Sequence, residues 1–116
     1  MVCNELESTD GLELEVDFDG EYYYVVTGIE TSASYVVIPN TYNGLPVKEI
    51  SASAFEGDQL LEKVYIPKNI EYIGDKAFYN CPNLTTIFFE GTTKPGIVGA
   101  NWNGSALSRY KGEYSL

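Results

Sequence analysis

The chain has 116 residues, 44% hydrophobic and 21% charged, enough to close one modest core and too few for two. Its net charge is −10, with two cysteines and no histidine. A field of that sign repels nucleic-acid phosphates, two thiols do not build a disulfide scaffold, and no apolar stretch is long enough to span a bilayer.

The charge is concentrated at the start. Residues 1–21 hold eight acids and no Lys or Arg, while residues 22–116 hold nine acids and seven bases. Residues 1–11 are read as an acidic leader that either keeps the chain soluble or meets a basic protein partner. Met1-Val2-Cys3-Asn4-Glu5 lacks the basic start and apolar run of a secretory signal. An intracellular chain or a mature segment is expected on that ground.

Residues 12–30 read as a β-hairpin that caps one end of the fold. Leu12, Leu14, Val16 and Phe18 alternate with Glu13, Glu15, Asp17 and Asp19, the period of a strand with one apolar face. Asp19-Gly20 suits a tight turn, and a second strand follows from Glu21 to Thr27. A two-residue turn sets Phe18 opposite Glu21 and Val16 opposite Tyr23. A turn one residue longer switches the facing set to Tyr22, Tyr24 and Val26. Asp17-Phe18-Asp19-Gly20-Glu21 has the opening spacing of a calcium loop but lacks its further ligands, so no metal is expected there.

Residues 35–91 repeat. Ile50, Ala54, Phe55, Leu61, Val64 and Ile66 return 23 positions later as Ile73, Ala77, Phe78, Leu84, Ile87 and Phe89. A period of that length with an apolar pattern marks a solenoid, whose coils bury their faces only against their neighbours. Val36-Val37-Ile38, Val64-Tyr65-Ile66 and Ile87-Phe88-Phe89 should stack as parallel strands, the first two ended by Pro39 and Pro67. Ala54-Phe55 and Ala77-Phe78 are expected to form tight helical turns, with the rings filling the interior. Ile38 precedes Ile66 by 28 positions, so the first coil carries five extra residues, read as a turn around Asn43-Gly44. Residues 92–116 leave the 23-residue repeat, are rich in glycine and hold the single Trp102. They are expected to fold over the last coil as an irregular C-terminal cap. The whole is one domain, an α/β solenoid with a parallel sheet.

The run Val36-Val37-Ile38-Pro39-Asn40 through Asn43-Gly44-Leu45-Pro46-Val47, then Ala54-Phe55, Ile66-Pro67 and Ile73-Gly74-Asp75-Lys76-Ala77-Phe78-Tyr79-Asn80-Cys81, resembles the BspA-type leucine-rich repeats. The resemblance runs from about Gly11 to Gly91. It implies a short right-handed leucine-rich-repeat coil with its parallel sheet on the concave face, a bacterial or protist surface or secreted location, and adhesin-like protein binding without catalysis. Cys81 stands where that family commonly has Cys in a Phe-x-x-Cys turn, and it reads as a buried thiol packed like a small hydrophobe. No bridge to Cys3 is expected.

Without histidine the chain lacks the usual general base and the commonest metal ligand, so no catalytic residue, metal or cofactor is assigned. Strand parity supplies the candidate site instead. If Val64 and Ile66 point inward, Lys63 and Tyr65 point outward, with Thr86 and Phe88 on the next coil and Tyr35 and Val37 on the previous one. Aromatics on an open sheet suit a protein contact, and the competing reading is that the terminal segment covers them. An alternative function keeps the chain cytoplasmic, as a small acidic inhibitor that blocks a basic nucleic-acid-handling protein.

Overall fold

Two sheets, whose strands pair in parallel from coil to coil, wind around one apolar interior in the computed structural model, which describes residues 9–30, 33–92 and 94–114. Cys3 and most of the acidic leader lie outside the described residues. The first sheet takes strands in the order β1 (Leu12–Phe18), β2 (Tyr22–Ile29), β5 (Leu45–Ile50), β7 (Tyr72–Ile73) and β9 (Ile97–Val98). The second runs β10 (Leu107–Arg109), β8 (Thr86–Phe89), β6 (Lys63–Ile66) and β3 (Tyr35–Val37). Each coil gives one strand to each sheet, which makes about four turns of a β-solenoid.

The interior follows the repeat. Val36, Val64 and Ile87 are fully buried, as are Ile50 and Ile73 on the facing sheet. Phe55 and Phe78 lie between the sheets with ring centroids 5.2 Å apart and planes 6° from parallel. Residues 23 positions apart therefore stack directly.

The helical turns expected at Ala54-Phe55 and Ala77-Phe78 are not helices, and no helix occurs among the described residues. Alternate amides there bond across coils: Ser53, Phe55 and Gly57 donate to the carbonyls of Asp75, Ala77 and Tyr79. The amides between them, Ala54, Glu56 and Asp58, close local turns to residues three back. Ser53 and Lys76 enter these turns at φ 59° and 57°, in the left-handed region that ends a right-handed helix. The α/β reading is thus corrected to an all-β solenoid with turn corners.

The segment after Gly91, expected as irregular, instead continues the coil. β9 pairs with β7 and β10 with β8, both parallel. Lys76 and Phe78 donate their amides to Ala100 and Trp102, repeating the corner bonds of the coil before. Trp102 thereby occupies the place of Ala77 rather than that of Phe78, and its ring closes the core 6.0 Å from Phe89. Gly99 repeats the role of Gly74: a Cβ at either glycine would collide with the adjoining coil, at Ala52 or Asp75.

At the other end the hairpin forms with the longer turn, placing Phe18 opposite Tyr22 and Val16 opposite Tyr24. That register carries Leu14 opposite Val26, and one bulge between Glu13 and Leu14 then shifts it so that Glu13 faces Gly28 and Leu12 faces Ile29. β2 then joins β5 in parallel, and β1 forms the edge of the sheet. The five-residue insertion gives β4 (Thr41–Tyr42), antiparallel to β5 around Asn43 and Gly44, both at positive φ as a tight two-residue turn requires.

Candidate binding face

The outward side of the second sheet brings the six predicted residues together. β3, β6 and β8 pair in register, so Tyr35, Lys63 and Thr86 form one row and Val37, Tyr65 and Phe88 the next. Val64 and Ile66 turn inward and are buried, while Lys63 and Tyr65, which alternate with them, stay half-exposed. The rows arise because a strand presents alternate residues to opposite faces and parallel coils repeat that choice.

The rings form a ribbon across the coils. Tyr35 and Tyr65 meet at 5.3 Å with their hydroxyls 2.9 Å apart, and Tyr65 stacks on Phe88 at 4.8 Å and 14°. Tyr114 then packs its edge against Phe88 at 4.9 Å and donates its hydroxyl to the Phe89 carbonyl at 2.6 Å. The terminal segment therefore covers part of Phe88 and lengthens the ribbon to four rings. Burial, then the hydrogen bond with Tyr35, then the charges of Tyr35 and Tyr114 push the Tyr65 phenol above the ordinary tyrosine range. Burial and the Glu90 carboxylate push Tyr114 the same way. Both present neutral hydroxyls at physiological pH.

Three contributors to this face were not expected from the sequence. β10 extends the rows with Leu107 beside Thr86 and Arg109 beside Phe88, and Leu107 is 62% exposed. Thr9 borders β3 at the other side, accepting the Val37 amide on its hydroxyl at 2.7 Å and donating its own amide to the Val37 carbonyl. The signal for the coil that ends in β10 lay in Val98-Gly99 of β9 and its exit, repeating Ile73-Gly74 at an interval of 25 rather than 23. Thr9 carries no such signal.

Cys81 is buried under the corner, its thiol donating to the Phe55 carbonyl at 3.1 Å, and burial raises its pKa. An exposed thiolate is not what this position offers. Among the described residues no group of three or more His, Cys, Asp or Glu could hold a metal ion, and no helix is long and apolar enough to cross a membrane.

Comparison with known proteins fits this geometry. The family model for the BspA type leucine rich repeat region matches residues 29–96, more than half of the chain. The chain belongs to the BspA-type leucine-rich repeats. A comparison with curated proteins finds no match. Among solved structures, the leucine rich repeat protein of T. pallidum is similar to this repeat chain at a TM-score of 0.69 and 19% identity, over 93% of this chain and 65% of that one. A leucine rich cell surface protein from Faecalibacterium prausnitzii matches at 0.68 and 20% identity, over 93% of this chain and 31% of that one. A leucine-rich repeat protein from Bacteroides capillosus matches at 0.60 and 22% identity, over 91% and 98%. At such identities the likeness shows the fold, and the repeat chain spans less than two thirds of the first two proteins.

Proposed function

We propose that this repeat chain is a non-catalytic protein-binding module, and that its contact surface is the outward face of β3, β6 and β8. The observation that carries the reading is the ribbon of Tyr35, Tyr65, Phe88 and Tyr114, held in place by stacked coils. Rigid rings offer large contact area at small entropy loss, and Lys63 and Arg109 flank them with cations that can orient a partner. Leucine-rich repeats are typically binding modules rather than enzymes, and the absence of histidine agrees with that. The cell-surface description of the Faecalibacterium prausnitzii protein supports a surface-displayed or secreted, adhesin-like role.

The test is capture from a surface-protein extract by the immobilised chain and by two variants, Tyr65→Ala and Lys63→Glu, each first shown to keep its melting transition. The reading expects a partner retained by the parent and lost or weakened with both variants. A partner held equally by all three would place the contact elsewhere.

A further inference from the structure

The edge strand β1 is open in a way that the ribbon face is not. It pairs with β2 alone, so among the described residues no strand meets its outer main-chain groups over seven residues. An unpaired edge is a template for another strand, and proteins usually shorten it, cover it or charge it.

The two faces of β1 differ in chemistry. On one, Leu12 and Leu14 pack against the core, but Val16 and Phe18 run past it and are 56% and 57% exposed. Tyr22, 59% exposed, adds its ring 4.8 Å from Phe18. The other face carries Glu13, Glu15 and Asp17, all exposed. Among the described residues the ion pairs are those of Lys48, to Asp19 at 3.4 Å and Glu71 at 3.9 Å, and neither reaches these three carboxylates. Residues 1–21 contain no Lys or Arg to neutralise them.

Charge decides the occupant. A second copy of the chain paired through β1 would set Glu13, Glu15 and Asp17 beside the same carboxylates, and like charges on adjacent strands are destabilising. Protection of the edge accounts for the acids but leaves Val16, Phe18 and Tyr22 bare. We propose that β1 accepts a strand from a partner protein whose residues alternate basic and apolar. Main-chain hydrogen bonds would hold that strand. Its basic residues would lie beside Glu13, Glu15 and Asp17, and its apolar ones would extend the face of Val16 and Phe18. The site is separate from the ribbon face and does not rest on the function proposed for it.

The probe is a seven-residue peptide alternating lysine and valine with blocked ends, titrated into the full chain while amide hydrogen exchange is followed residue by residue. Slower exchange in residues 12–18 is expected, with affinity that falls as salt is raised. The double variant Glu15→Lys with Asp17→Lys, exposed and thus compatible with folding, should bind roughly ten-fold more weakly. An alternating glutamate and valine peptide, and the lysine peptide N-methylated along its pairing edge, should leave exchange unchanged. Binding of either control as tight as the probe, protection confined to β3, β6 and β8, no protection at saturating probe, or self-association of the free chain through β1 would each overturn the proposal.

Discussion

Two aromatic stacks cross this molecule in parallel, one inside and one outside, and the same repeat builds both. Phe55 and Phe78 lie at 5.2 Å and 6°, Tyr65 and Phe88 at 4.8 Å and 14°. Stacking geometry alone does not separate a structural ring from a surface one. The inner pair is 2% and 1% exposed, whereas the outer pair is half-exposed and bordered by Lys63 and Arg109. Parity within the strand and position within the coil decide the fate of a ring: removal of an inner one should be read in stability, removal of an outer one in binding.

The largest break in that comparison is Phe78→Ala. It removes the ring stacked on Phe55 and leaves a cavity between sheets, costing about 3–5 kcal/mol by chemical denaturation. A variant as stable as the parent would contradict an interior position. Next comes Gly74→Ala, which tests coil spacing without touching a ring. Its Cβ would meet the backbone of Ala52, so overpacking of roughly 1–3 kcal/mol is expected in the same assay.

Outside, Tyr65→Ala should keep a cooperative melt while weakening partner binding by about 1–2 kcal/mol in calorimetry. A smaller change sharpens the point: Tyr35→Phe removes the hydroxyl contact to Tyr65 at 2.9 Å and should cost about 0.5–1 kcal/mol of stability. The subtlest signature is alkaline. Tyr65 and Tyr114 hold their protons more tightly in the folded chain than at the ordinary tyrosine value of 10.0. Their contribution is fully present below that value and is lost as pH rises through the folded ones. Denaturation midpoints should be level near neutrality and fall above about pH 10, less steeply in Tyr65→Phe.

The interior was legible because Phe55 returns 23 residues later as Phe78, with valine or isoleucine at fixed offsets from each. The rows Tyr35–Lys63–Thr86 and Val37–Tyr65–Phe88 were legible for the simpler reason that a strand alternates its faces. Where expectation failed, a local signal competed with the coil. Apolar residues at Ile50, Ala54 and Phe55 fit a helical spacing, but the positive φ of Ser53 and the cross-coil bonds of its neighbours forbid one. The last turn escaped notice because its strands fall 25 and 21 residues after their partners, Val98 after Ile73 and Leu107 after Thr86. It also puts Ser108 where Val64 and Ile87 point inward, and Trp102 where the coils before it have alanine. At the hairpin, Asp-Gly favours a two-residue turn, and only tertiary packing of Leu14 and Val26 sets the longer one.

The most direct measurement is site-specific photo-crosslinking, with a benzophenone side chain at Tyr65, at Phe88 or, as control, at exposed Glu56 on the turn corner. The chain is presented to surface-protein extract and illuminated. Adducts of one common protein from positions 65 and 88, and none from 56, are the predicted result. Adducts from 56 alone, or the same adducts from all three positions, would contradict the assignment of the outward β3, β6 and β8 face as the place where this repeat meets its partner.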